Sequence, residues 1–178
     1  MSLRQATSND FYALLTEQDP RLETVIPQSP STVHDWIVDA YKEAKPKVVR
    51  SIANSASKLT ISFDRWKANN DALDLLRVVV HYLGDNNKLH NVVLTICDSL
   101  GSHTGANIAD NLFDILKDYQ IHSCQIAYFA ADNASNNNTA LAALTERVNI
   151  DLIASRLRCA GHIFNLVCTA IIFGVPDK

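Results

Sequence analysis

The 178-residue sequence has no excess of basic charge. Its 16 Lys and Arg stand against 19 Asp and Glu, a formal net charge of −3, which argues against a domain that holds nucleic acid by bulk charge alone. An enzyme that meets DNA locally, through a metal or a small basic patch, stays open. Glycine is scarce, at five residues. Gly101 and Gly105 fit neither G-x-G-x-x-G nor a P-loop, which disfavours an unrelated α/β phosphotransfer or nucleotide-binding domain. Cys97, Cys124, Cys159 and Cys168 form no C-x-x-C pair, and three of the four lie in apolar stretches, as reduced, buried thiols of an intracellular protein would. The longest apolar stretch, "IFNLVCTAIIFGV" (163–175), is too short to span a bilayer and contains Asn165. "MSLRQATSNDFYALLTEQDP" lacks the basic start and apolar run of a signal peptide. What remains is a soluble chain of ordinary composition, long enough for one domain with an extension.

Residues 1–57 are punctuated by Pro20, Pro27, Pro30 and Pro46, which predicts short helices separated by turns. Ser31 is the expected cap of a helix with Val33, Trp36, Ile37, Ala40, Tyr41 and Ala44 on one stripe, read as core. Pro46 is expected to start or kink a second piece carrying Val48, Val49, Ile52 and Ala53. From Lys58 the pattern changes. "KLTISF" (58–63), "LLRVVVHYL" (75–83) and "KLHNVVLTIC" (88–97) are β-branched runs, and "GDNN" (84–87) predicts a hairpin between the last two. "SHTGANIADNLFDILKDYQI" (102–121) predicts a helix capped by Thr104, with Ile108, Leu112, Ile115, Leu116 and Tyr119 on one face. "CQIAYFAA" (124–131) is a buried-strand run ending at Asp132, "NNTALAALTERV" (137–148) a short helix, and 152–174 a short strand or loop that becomes helical near Cys159.

The expected order is therefore β-β-β-α-β-α, an α/β arrangement with a mixed sheet. A strand that follows the crossover helix returns parallel to the first strand and beside it. That puts Asp64 and Asp132 at the same ends of neighbouring strands, roughly 4.8 Å apart. Two carboxylates so close repel unless a cation lies between them, and a divalent metal is the usual solution. Each acid also has a plainer reading: Asp64 as a turn residue and Asp132 as a helix cap.

"LTISFDRWKANN", "GSHTGANIADNLFDIL", "YFAADNASNN" and "RLRCAGHIFNLVC" follow one another over residues 58–174. In order and spacing they resemble the hAT superfamily of transposases, in particular fungal members, whose catalytic domain has the RNase H-like fold. The resemblance implies an α/β RNase H-like domain over 58–178 behind a helical extension over 1–57. It implies a nuclear protein that cuts and joins DNA at transposon ends, in which acids of a DDE triad hold two Mg2+ or Mn2+ ions that activate water and then a DNA 3′-hydroxyl. Such ions stabilise the attacking and leaving oxygens of an in-line displacement.

By this resemblance Asp64 matches the first acid and Asp132 the second. Asn133 and Asn136 cap the next helix or orient the acid. Cys159 and His162 match a C-x-x-H element, with His162 near the catalytic acids or a phosphate and Cys159 in packing. Two such ligands alone make no zinc site. Arg65, Lys67, Arg156 and Arg158 are the candidate phosphate contacts. Trp66 either stacks on a base or, as the residue type favours, packs in the core. His103 is expected in a loop or cap, and His81 and His90 as ordinary strand residues.

The family's third acid is a Glu beyond a large helical insertion. Glu17, Glu23, Glu43 and Glu146 do not match it, and the BED-type zinc finger and C-terminal dimerisation region have no counterpart. The expectation is a partial catalytic core with an incomplete triad, a weak or absent metal and little activity alone. The alternative is a domesticated, non-catalytic remnant that serves as a protein or DNA interaction module. Uncovered apolar surface on the sheet predicts self-association. Neither a membrane nor a small-molecule substrate is expected.

Overall fold

A computed structural model describes residues 3–68, 73–98 and 104–173. The chain divides into two compact units, Met1–Val48 and Val49–Lys178.

The first unit is helical. α1 spans Leu3–Ala6 and α2 spans Asn9–Gln18, where Ser8 caps the first turn by accepting from the Phe11 amide at 3.3 Å. A 3-10 turn, Pro20–Thr24, leads towards α3, Pro30–Ala53. The cap of α3 is Ser29, not the expected Ser31. Its hydroxyl accepts from the Thr32 amide at 3.2 Å, and Pro30 takes the first position, where a missing N–H costs nothing. The helix also runs through Pro46 rather than starting again there. Trp36, Ile37 and Tyr41, expected in a core, are exposed.

The second unit starts with the end of α3, where Ile52 is buried and Ser51 Oγ lies 2.7 Å from the Tyr82 hydroxyl. It is built on a five-stranded sheet in the order β3-β2-β1-β4-β5. β1 (Leu59–Ala68), β2 (Leu73–Leu83) and β3 (Leu89–Asp98) form an antiparallel meander. The β2–β3 turn follows its chemistry, with Asn87 at φ 57° and the Gly84 amide donating to Lys88 O at 2.9 Å. α4 (Gly105–Asp118) then crosses over, capped by Thr104 as expected, and β4 (Ile126–Ala131) returns parallel to β1. α5 (Ser135–Val148), a single turn α6 (Leu152–Ser155), β5 (Arg156–Arg158) and α7 (Ala160–Phe173) complete the chain, with β5 parallel to β4. This is the mixed α/β sheet of the RNase H-like fold.

Strand alternation gives the sheet two unlike faces. Leu59, Ile61 and Phe63 of β1, Leu76, Val78 and Val80 of β2, and Phe129 and Ala131 of β4 are buried on one. Ile108, Leu112 and Leu116 of α4 and Ala140, Leu141 and Leu144 of α5 are buried too, at the helical spacing of an inward stripe. α4 and α5 approach closely at Gly105, where a Cβ would stand 2.7 Å from Ala140 N and 2.9 Å from Asn136 O. In β3 a bulge skips Leu94 between the pairs Val78–Thr95 and Val79–Val93, and the Tyr119 hydroxyl donates to Leu94 O at 2.6 Å. The opposite face carries Ser62, Asp64, Trp66, Arg77, Val79, His81 and Val93, all half-buried or exposed.

The cysteines depart from expectation. None of the four is in a disulfide, but Cys124, Cys159 and Cys168 are exposed and Cys97 is half-buried. α7 is the main reason: Phe164, Leu166, Val167, Ile171 and Ile172 are exposed around it, so apolar sequence there does not mean burial. No helix among the described residues is long and apolar enough to cross a membrane.

Candidate functional site

Asp64 lies inside β1, not in a turn. The strand continues to Ala68 because β2 pairs with it throughout, whereas β4 pairs with it only as far as Ser62–Ala130. Alternation turns Asp64 to the open face, with Ser62 and Trp66. Its cross-strand partner is Arg77, whose Nη2 lies 3.7 Å from Asp64 Oδ2. Both side chains are about half exposed, 47% for Arg77 and 53% for Asp64. A pair of that kind holds the carboxylate by about 0.2–1 kcal/mol and leaves it open to another cation. Trp66 is not core either: it is exposed on this face, with the Arg77 guanidinium 5.9 Å from its ring centre.

Asp132 follows β4 directly. It and Asp64 both stand two residues beyond the last β1–β4 pair, so the two acids come at the same end of neighbouring parallel strands. Asp132 Oδ1 accepts from the Ala134 amide at 2.9 Å and from Asn137 Nδ2 at 2.6 Å. The first bond is an Asx turn just before α5, whose N-cap is Ala134 with no side-chain cap bond, so Asp132 leads into the helix without capping it. Both bonds end on Oδ1, and among the described residues none ends on Oδ2. The residue that orients this acid is Asn137, not Asn133 or Asn136. It is buried on the stripe of Ala140, Leu141 and Leu144, and an amide on an apolar helical face was the signal for it.

β5 brings the C-x-x-H element to the same end of the sheet. After the pair Ala131–Arg158, the Cys159 amide donates to Ala131 O at 3.0 Å, and α7 begins one residue later. Asn133, Arg158, Cys159 and His162 line one cavity of about 320 Å³ together with Ile163, Leu166 and Val167. His162 therefore stands beside the residue that follows Asp132. Asp64, Asp132 and Cys159–His162 come just past the last parallel pairs of β1, β4 and β5, at the carboxyl side of the parallel part of the sheet, where open α/β sheets carry their sites.

The candidate phosphate contacts separate. Arg158 lines the His162 cavity, and Arg156 Nη2 donates to the Asp132 carbonyl at 3.5 Å. Arg65 and Lys67 fall on the face opposite Asp64, and Arg65 Nε is 3.2 Å from Asp74 Oδ1 in a largely buried pair. The cation that accompanies Asp64 is Arg77, which is visible only once the β1–β2 register is known. His90 stacks on Tyr82, ring centres 5.3 Å apart. Gly101 and His103 lie outside the described residues.

Carboxylate oxygens are the hard donors that Mg2+ and Mn2+ take, so Asp64 and Asp132 suit such an ion in kind. In number they fall short, since no cluster of three His, Cys, Asp or Glu side chains forms among the described residues.

Strand order, crossover and paired acids define an RNase H-like domain. Residues 62–161 match the ZBED1 RNase-like domain, and the chain belongs to that family, a hAT-type transposase-related domain. Two maize (Zea mays) proteins, "Putative AC transposase" and "Putative AC9 transposase", are each 26% identical over 157 residues, covering 83% of this chain. A Talaromyces stipitatus protein, "Putative transcriptional regulator tpeD", is 24% identical over 140 residues and 76% of the chain. The chain spans 19%, 18% and 16% of the lengths of these three relatives, less than a fifth of each.

Proposed function

We propose that this domain carries the first two metal-binding acids of a nuclear DNA strand-transfer enzyme, Asp64 and Asp132, in a site that needs a further donor for catalysis. The observation that carries this reading is the placement of the two carboxylates on adjacent parallel strands, two residues past their last pair. A divalent ion bound there would supply the Lewis acidity for phosphodiester attack. The chain's own contribution is to hold the acids: Asn137 fixes Asp132, and β2 fixes Asp64 against Arg77. Arg158 and His162, which line the neighbouring cavity, would meet a DNA phosphate.

With two protein ligands, affinity should be weak, in the millimolar range. Titration with Mn2+ by calorimetry and thermal shift, on wild type, Asp64→Ala and Asp132→Ala, is the test. The expected result is a melting rise in wild type that both substitutions abolish. Three unchanged curves would remove the metal site.

A second reading, a non-catalytic module associated with DNA, is favoured by the likeness to a protein named as a transcriptional regulator. It predicts DNA retention that is indifferent to Asp64→Ala and Asp132→Ala.

Self-association belongs to the same proposal. α7 exposes Phe164, Ile171 and Ile172 by 71%, 78% and 68%, an apolar surface that water does not favour. Light scattering should show a mass above that of one chain, rising with concentration. A constant single-chain mass would count against it.

A further inference from the structure

Ser62, His81 and Asn91 form a hydrogen-bonded chain across β1, β2 and β3. Ser62 Oγ lies 2.7 Å from His81 Nε2, and His81 Nδ1 lies 2.7 Å from Asn91 Oδ1. Asn91 Oδ1 can only accept, so Nδ1 carries the ring hydrogen. In the neutral ring Nε2 is then the free acceptor, to which the Ser62 hydroxyl can donate. This is the arrangement a nucleophilic hydroxyl needs: a neutral imidazole within reach of its proton, with the tautomer held by a third group. We infer that Ser62 is a nucleophile, activated by His81 and positioned by Asn91, that accepts acyl groups from small neutral esters independently of any metal.

The surroundings define the substrate class. The cross-strand neighbours of Ser62 are Val79 and Ala130, half-buried and apolar, so they suit an uncharged acyl or aryl group. Asp64, two residues along on the same face, disfavours an anionic substrate. In mid-strand the backbone amides are held by the sheet ladder, so they offer no donor pair to an oxyanion. The reaction is therefore with esters whose leaving group is already good, such as aryl acetates. Ser62 Oγ forms a bond to the carbonyl carbon while its proton passes to His81 Nε2. The carbon–oxygen bond to the phenol then breaks, and the phenolate oxygen takes that proton. Water repeats the sequence on the acyl-Ser62 ester, releasing the carboxylic acid and restoring the hydroxyl.

The test uses the full 178-residue chain with p-nitrophenyl acetate in excess EDTA. The expected result is a burst of p-nitrophenolate equal to the protein concentration, followed by slow turnover, with an acetyl group mapped to Ser62 by peptide mass spectrometry. Ser62→Ala should abolish the burst, His81→Ala should slow it by about 100-fold or more, and Asn91→Ala by at least about tenfold. Asn91 is exposed on the outer strand, so its variant keeps the test open if either of the others fails to fold. No burst in the wild type, an acetyl group on another residue, or equal rates in wild type and Asn91→Ala would overturn the assignment. Chelation separates this outcome from the metal site, because the burst is read with no free divalent ion.

Discussion

Phe129→Ala should destabilise the second unit by about 3–5 kcal/mol, enough to unfold it at moderate temperature. The residue is 0% exposed, the largest of the fully buried side chains. It sits in β4 opposite Ile61 on one side and Arg156 on the other, so it belongs to both parallel junctions of the sheet. Truncation removes the transfer energy of an aromatic ring and leaves a cavity that strands on either side cannot close. Tyr128, the preceding residue, faces the other way and is 41% exposed. Tyr128→Ala should cost less than about 1 kcal/mol, which makes it the internal control. Urea melts of both variants give the comparison. A Phe129→Ala midpoint close to that of Tyr128→Ala would contradict the packing of β4.

The second large effect concerns the amide behind Asp132. Asn137→Asp places a buried carboxylate within 2.6 Å of the Asp132 oxygen that now accepts the amide hydrogen. A hydrogen bond is replaced by like-charge repulsion, and a buried charge is left without a partner, at a cost of about 3–5 kcal/mol at neutral pH. The sign of the pH dependence follows. Repulsion and burial raise a carboxyl pKa of the pair above its unfolded value, so the folded state binds more protons than the unfolded state does. Stability is therefore lost as pH rises through the raised pKa and recovered as pH falls below it, opposite to the trend for a paired acid. Melting temperature across acid and neutral pH, wild type against variant, reads this directly. A difference that does not shrink on acidification would show that the carboxylates do not share a site.

Much of the sheet was legible because its signals are local. β-branched runs and the Gly84–Asn87 turn set β2 against β3, and the single crossover helix obliged β4 to return beside β1. From this the placement of Asp64 and Asp132 at the same end of neighbouring strands followed without any side-chain detail. What stayed hidden depends on register. Arg77 opposite Asp64, and Ser62, His81 and Asn91 in line, can be read only when three strands are aligned residue by residue, so His81 looked like an ordinary strand residue. Ser31 and Pro46 misled for a different reason. Helix ends are decided by which neighbouring hydroxyl reaches the amide, and a proline removes one bond without stopping a long helix. Exposure of the cysteines and of α7 lay beyond reach because burial depends on neighbours, not on the residue's own hydropathy.

The central strand joins two kinds of chain geometry. On one side β1 meets β2, the next strand in sequence, and the closure is short. On the other it meets β4 only after β2, β3 and α4 have been threaded past, so this junction fixes a much longer loop and carries the larger entropic cost. The acid pair straddles that junction. A partly ordered chain can therefore hold Asp64 against Arg77 within the meander while Asp132 is still far away, and the two acids come together only in chains whose long-range closure is complete.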